Sequence, residues 1–364
     1  MHEAPPPVRR VSRRAILAAG LSPALFAAKG QDLPGEAKKF LDAATEFEIL
    51  RVTSLDHNAW MPLASNRALT RKGDALLFAS DLSGTPQLYR HDFKLNKIRQ
   101  LTDAAQLNTN SFTWTSADRS IIYIDGRKVL QTATARDRLI TELPEDWAQF
   151  PRLTASDDGL TVIVSSSNGT KTRIASTGRA AATLEERDGD IGTLSLRPRR
   201  AGLSYMASAA LRYISLDTRK PVTLATAPGE VLSAYWTADG ASLLYLLKPA
   251  GPGRLAEIRE IIPEGNKDSL VAKTSQYGHF QRNGDATVFL GASASAASPY
   301  ILVLLRSVKR ELTICEHRAS DPRLTRAVLS QSSTRMAFQT DRHGKMVIYA
   351  MAVERLIEQT EENT

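Results

Sequence analysis

The sequence predicts an all-β chain closed into a seven-bladed β-propeller, and three observations carry that prediction. A short apolar strand recurs seven times, as Ala75-Leu-Leu-Phe78, Ser120-Ile-Ile-Tyr123, Thr161-Val-Ile-Val164, Gly202-Leu-Ser-Tyr205, Ser242-Leu-Leu-Tyr245, Ala286-Thr-Val-Phe289 and Arg335-Met-Ala-Phe338. Their fourth residues lie 45, 41, 41, 40, 44 and 49 positions apart, the period of a four-stranded propeller blade. A turn rich in Gly, Asp or Asn precedes most copies.

Each blade element has its own signal. Lys72-Gly73-Asp74, Asp157-Asp158-Gly159, Ala238-Asp239-Gly240 and Arg282-Asn283-Gly284 read as two-residue hairpin turns. Gln87-Leu-Tyr-Arg-His-Asp92 and Val347-Ile-Tyr-Ala350 supply a further strand, and Ile98-Arg-Gln-Leu-Thr102 closes a unit. A ring of blades must close, because open sheet edges invite pairing with other chains. Phe47-Glu-Ile-Leu-Arg-Val-Thr53 is a lone strand before the first full repeat. It is expected to complete the last blade, residues 327–354, so that the propeller spans 46–354. Residues 31–45 read as a short helix or linker, and 355–364 as a charged tail. Gly291-Ala-Ser-Ala-Ser-Ala-Ala-Ser298 is low in complexity and reads as a flexible loop in the sixth blade.

Charge narrows the partners. The chain carries 47 Lys and Arg against 39 Asp and Glu, a net of +8. Residues 1–30 account for half of that excess, leaving 42 basic against 38 acidic residues beyond them. Nucleic-acid binding wants a concentrated basic face, so it is not expected. A mild excess suits an acidic small ligand. Ser12-Arg13-Arg14-Ala15-Ile16-Leu17 resembles the twin-arginine export motif, and an apolar stretch to Ala28 follows it. Residues 1–30 are therefore expected to be a twin-arginine-type signal peptide cleaved before Gln31, placing the protein in the periplasm or outside the cell. That stretch is too short for a stable membrane span, and Gly20 and Pro23 interrupt it. The single cysteine, Cys315, excludes an intramolecular disulfide. No Gly-x-Ser-x-Gly elbow and no glycine-rich phosphate loop is present.

Several stretches carry a family resemblance. Leu76-Leu-Phe-Ala-Ser-Asp-Leu-Ser-Gly84, Gln87-Leu-Tyr89, Ile98-Arg-Gln-Leu-Thr-Asp103 and Glu145-Asp-Trp147 come first. Ala234-Tyr-Trp-Thr-Ala-Asp-Gly240, Leu312-Thr-Ile-Cys-Glu-His317 and Met336-Ala-Phe-Gln-Thr-Asp-Arg-His-Gly344 follow. In that order, over about residues 47–353, they resemble the oligogalacturonate lyase family, itself akin to TolB-type and WD40-like propellers. The resemblance implies β-elimination of pectin-derived uronate oligosaccharides. A divalent metal, typically manganese, neutralises the uronate carboxylate there, and a base takes the C5 proton.

The family's functional positions are altered in this chain. Where the family has Gln-x-x-His-x-His leading into the seventh blade, this sequence has Arg323-Leu-Thr-Arg326-Ala-Val328. Tyr277 stands at the sixth-blade metal histidine, with His279 two residues on, and Ser233 stands at the base position ahead of Trp236. Arg212, in Ala210-Leu-Arg-Tyr213, matches the assisting arginine. Arginine offers hydrogen-bond donors only and is no metal ligand. No cofactor is expected, and manganese has lost its ligand set.

The candidate site that remains is an arginine cluster. Arg212, Arg323 and Arg326 are expected to converge at the channel mouth with Trp236, binding a uronate carboxylate bidentately. Arg212, Tyr277 and His279 are the candidates for residual catalysis, the last two as base. His57, His91, His317 and His343 lie at no metal spacing, and His91 and His343 read as exposed. Three functions follow from this reading. One is a diverged uronate-binding relative of the lyases. Another is a non-catalytic, TolB-like platform for a periplasmic protein. The third is a lyase on a different acidic sugar that uses Arg and Tyr in place of metal and His.

Overall fold

The computed structural model describes residues 28–133, 136–177 and 181–362. The export reading falls on residues 1–30, of which 1–27 lie outside the described residues. Seven antiparallel sheets are present, in chain order residues 59–100, 107–142, 149–188, 194–223, 229–274, 277–316 and 327–352, referred to below as blades 1 to 7. The predicted apolar repeats fall in the second strand of each blade, counted from the centre. Six of the seven end in an aromatic ring, and Phe78, Tyr123, Tyr205, Tyr245, Phe289 and Phe338 are among the largest fully buried side chains. The repeat is therefore a packing rule: in six of the seven blades one ring fills the space between neighbouring sheets.

Closure runs through the N-terminal segment. The strand Glu48–Arg51 pairs with Val347–Ala352, with Leu50 opposite Ala350 and Arg51 opposite Tyr349. Lys38–Leu41 then adds a fifth strand outside it. Further upstream, Asp32–Pro34 pairs with Lys97–Gln100 on the outer edge of blade 1. One segment thus covers the outer edges of the two blades that meet at the seam. The helix expected across 31–45 is absent; Pro34 and Gly35 interrupt the run, and two open sheet edges take its backbone as strand instead. The charged tail, conversely, folds. Glu354–Glu362 is an α-helix that buries Ile357 against the core shared by blades 6 and 7.

Two further expectations change. The turns at Gly73, Gly159 and Gly240 are four-residue loops closed from Thr70 to Ala75, Ser156 to Thr161 and Thr237 to Ser242. Each glycine takes a positive φ of 67° to 74°. The supposed flexible loop at 291–298 begins as strand, since Val288–Ser293 is the buried second strand of blade 6.

The basic residues work between blades. Arg67 bonds Asp118 at 2.5 Å across blades 1 and 2, and Arg152 reaches Asp190 at 2.9 Å across blades 3 and 4. Arg197 donates to the Gly240 carbonyl at 2.6 Å across blades 4 and 5. Arg282 donates to the Trp236 carbonyl at 2.5 Å, from blade 6 to blade 5. Arg335 donates to the Gly73 carbonyl at 2.9 Å, closing blade 7 onto blade 1. The planar guanidinium suits this task, because it spans two backbones with several donors at once.

Candidate functional site at the mouth of the central channel

The innermost strands all begin on one face of the ring, called the upper face here. In blade 1 that strand is broken. Ala59–Trp60 pairs with Ser80 and Ala79, Leu69 rejoins opposite Leu76, and the chain between them leaves the sheet. Pro62, without a backbone N–H, suits a chain that abandons its ladder. The departing residues 61–66 reach most of the ring. Met61 N–H donates to Gln339 of blade 7 at 2.8 Å, and Leu63 N–H to the Asn110 carbonyl of blade 2 at 2.9 Å. Asn66 donates to the Leu153 carbonyl of blade 3 at 3.1 Å, and Gln281 of blade 6 donates to the Ala64 carbonyl. A single segment touching blades 2, 3, 6 and 7 occupies the middle of the ring. Nothing in the repeat pattern announces it; Pro62 is its one local mark.

Arg326 stands above this plug. One terminal nitrogen donates to the Met61 carbonyl at 2.5 Å and the other to Asn110 Oδ1 at 2.8 Å. Two of its five N–H groups are thereby used. Burial lowers its pKa to about 10, with no charged neighbour among the causes, so it stays protonated at neutral pH. Among the described residues no carboxylate lies within 4.0 Å of it.

His279 lines the wall beside it. Its Nε2 accepts from the Ala327 N–H at 3.2 Å, which leaves the ring proton on Nδ1. Burial, then His317 and Arg326, lower its pKa to about 4. It is a neutral ring whose basic lone pair is occupied. His317 is also buried, with Nδ1 accepting from Ala319 N–H at 3.1 Å, and burial lowers its pKa as well.

The expected convergence does not occur. Arg212 lies on the third strand of blade 4, paired with Tyr205 and Thr223, two strands out from the channel. Arg323 turns to solvent, its side chain 90% exposed, and chelates Asp321 at 2.7 to 3.1 Å. Trp236 is 1% exposed; its indole donates to the Ser195 carbonyl at 3.1 Å and lies 4.7 Å beneath the Arg197 guanidinium. It fills the joint between blades 4 and 5 and offers no face to a ligand. Tyr277 is buried, its hydroxyl donating to the Leu302 carbonyl at 3.1 Å, and burial pushes its pKa well up. Neither it nor His279 presents a free base. His91, read as exposed, is fully buried beneath Phe93 and bonded to Asn96 at 3.1 Å. Only Arg326 and His279, of the residues singled out from sequence, meet at the mouth.

One mouth residue escaped the sequence reading. Phe150, on the innermost strand of blade 3, is 76% exposed and has a φ of +48°. A phenylalanine inside a predicted strand carries no sign of either property.

Fold and site together define a seven-bladed propeller whose channel is filled by its own chain and capped by a half-buried arginine. Comparison with known proteins carries this further. The family model for oligogalacturonate lyase matches residues 27–168. The oligogalacturonide lyase of Pectobacterium atrosepticum is 21% identical, covering 90% of this chain and 98% of that protein. The oligogalacturonate lyase of Dickeya dadantii is 25% identical over 134 residues, 36% of this chain and 34% of that protein. Among solved structures, an oligogalacturonate lyase in complex with manganese superposes with a TM-score of 0.80 at 19% identity, covering 89% of this chain and 98% of that one. The Vibrio parahaemolyticus oligogalacturonate lyase gives 0.80 at 18% identity, covering 90% and 99%. This chain is a relative of the oligogalacturonate lyases, with their propeller fold.

The four residues at which the sequence resemblance would place the family's metal ligands, Tyr277, Arg323, Arg326 and Val328, do not fit a metal. Two are guanidinium groups without a lone pair, one is a hydrocarbon, and the phenol spends its proton on a core carbonyl.

Proposed function

We propose that this chain binds a uronate-containing oligosaccharide at the upper mouth of its channel without cleaving it by metal-assisted elimination. The observation that carries this reading is Arg326, a half-buried guanidinium at the channel mouth with no carboxylate within 4.0 Å among the described residues. A partly buried cation without a counter-charge is costly, and an incoming carboxylate reduces that cost. Its three unused N–H groups supply a bidentate contact while Met61 and Asn110 hold the plane of the guanidinium. The kinship with oligogalacturonate lyases supplies the ligand class. Elimination also requires a base for the C5 proton, and His279 and Tyr277 both have their reactive atoms engaged. Export to the periplasm or beyond, on the twin-arginine-like run at Arg13-Arg14, completes the proposal.

The test is titration calorimetry with trigalacturonate, followed in parallel by the ultraviolet absorbance of an unsaturated product, with and without Mn²⁺. The expected result is binding, no absorbance rise, and at least tenfold weaker binding in Arg326→Ala. A Mn²⁺-dependent rise in absorbance overturns the non-cleaving reading. Absence of binding overturns the sugar reading and leaves a protein-interaction platform.

A further inference from the structure

Resting on that carbohydrate reading, we propose that Phe150 is a stacking platform for the pyranose ring next to the one whose carboxylate meets Arg326. The residue combines two costs that the fold itself does not require. A bulky side chain with positive φ is an outlier, because its Cβ crowds the neighbouring carbonyl. An aromatic ring 76% exposed forgoes the burial that usually justifies it, and every other described phenylalanine is buried or half-buried. Strained backbone at a rim, held by its surroundings, is the pattern of a residue aimed at a ligand.

The surroundings do hold it. In blade 3, Gln149 pairs with Ser167 and Arg152 with Ser165, so Phe150 and Pro151 together oppose Ser166 alone. This is a bulge, the device that re-aims a side chain at the start of a strand. The Pro151 carbonyl accepts from Asn108 Nδ2 at 2.9 Å and from Ser111 Oγ at 3.0 Å, both on blade 2. Arg152 locks the other side by donating to the Ile191 carbonyl and to Asp190.

Position relative to Arg326 gives the ligand geometry. The inner strand of blade 2 is itself irregular between Leu107 and Phe112. From that irregular stretch, Asn110 accepts from Arg326 and Asn108 donates to the turn that carries Phe150. Arg326 and the turn that carries the exposed Phe150 therefore flank one short run of amide side chains. A pyranose offers C–H groups on its faces and hydroxyls at its rim, so it lays a face on the ring and directs hydroxyls to the asparagines. One uronate needs only the guanidinium, whereas two or three linked uronates use both features. The site is thus matched to an oligomer rather than to a free acid sugar.

The experiment compares galacturonate, digalacturonate and trigalacturonate by calorimetry on wild type, Phe150→Ala, Phe150→Trp, Phe150→Gly and Arg326→Ala, with thermal melting of each. The expected result is that Phe150→Ala weakens the trimer at least tenfold and the monomer less than twofold, while Phe150→Trp keeps trimer affinity within threefold. Phe150→Gly should raise the melting midpoint, since glycine accepts the positive φ, yet bind trimer as poorly as Phe150→Ala. Higher stability with lower affinity is not what a structural residue gives. Wild-type trimer affinity in folded Phe150→Ala overturns the platform and leaves the carboxylate reading standing. A wild type that binds no galacturonate oligomer overturns both.

Discussion

The ring of Tyr277 lies flat against the Cα of Gly291, so close that an added Cβ would stand 2.5 Å from the ring carbons. This contact is why Tyr277 is a core residue and Gly291 a strand residue. The two lie diagonally on adjacent strands of blade 6, with Tyr277 opposite Ser293 and Gly291 opposite Phe280, and only the missing side chain makes room. Gly291→Ala should push the ring off its seat and cost about 1–3 kcal/mol, as overpacking of cores does. Urea denaturation followed by tryptophan fluorescence reads it. Tyr277→Phe keeps the ring and removes one hydroxyl bond, for about 1 kcal/mol. Trigalacturonate affinity should stay within twofold of wild type, and a larger loss would return Tyr277 to the site.

His279 makes the protein less stable in acid. Its pKa is about 4 in the folded chain against an ordinary 6.5, so the unfolded chain binds the proton more readily between those values. Stability is full above pH 6.5 and is lost as pH falls toward 4. The gap of 2.5 corresponds to at most about 3 kcal/mol. His91 and His317, both lowered by burial, act in the same direction. His279→Gln keeps an oxygen to accept from Ala327 N–H but cannot titrate. The fall in urea midpoint between pH 7 and pH 4.5 should be visibly shallower in this variant. An unchanged fall would mean that His279 is not neutral in the folded state.

How far the sequence could be read follows from these same residues. The blades were legible because each is a local pattern, a short apolar run repeated seven times and ending in an aromatic in six of them. The seam was legible because residues 47–53 read as a strand that belongs to none of the seven repeats. Residues 31–45 were not, because their alanines and lysines favour helix while the distant edge at Lys97–Gln100 and the nearer one at Glu48–Arg51 favour strand. His91 looked exposed beside Asp92, yet its strand faces Phe93 and Asn96. The channel plug is the extreme case. Gln281 and Ala64 lie 217 residues apart, and no local propensity encodes their meeting. The arginines divide by their neighbours: Arg323 has Asp321 two residues away, whereas the isolation of Arg326 appears only once the ring closes.

Arg197 offers a stability test of the inter-blade arginines. Its side chain is 1% exposed and meets the Gly240 carbonyl at 2.6 Å, the Tyr213 hydroxyl at 3.0 Å and Glu264 at 2.6 Å, above the Trp236 ring. Arg197→Ala strands two buried acceptors and uncovers the indole, though Glu264 escapes to water. The expected cost is about 2–4 kcal/mol. Arg197→Lys should recover only part of it, since one ammonium cannot span the three acceptors. Arg200 also approaches Glu264, at 3.5 Å, but from solvent. Arg200→Ala should cost about 0–1 kcal/mol, and an equal loss in both alanine variants would count against the clamp.

The seam between the first and last blades yields the sharpest prediction. Ile49 is 1% exposed within the core of blades 6 and 7, on the strand that pairs with Val347–Ala352. Ile49→Ala removes buried carbons where the ring closes and should cost about 2–5 kcal/mol. Its effect should also be local in origin. Hydrogen exchange should speed first in Val347–Ala352, whose outer edge loses its partner, while the second strands of blades 3 and 4 keep their protection until global unfolding. Truncation up to Thr53 removes the strand altogether and leaves blade 7 with an open edge. That form should self-associate in a concentration-dependent way by light scattering, because an unpaired strand is a template for another copy. Truncation up to Glu46 spares Glu48–Arg51 and should stay monodisperse. If both truncations behaved alike, closure would reside in the outer strand Lys38–Leu41 instead of in Glu48–Arg51.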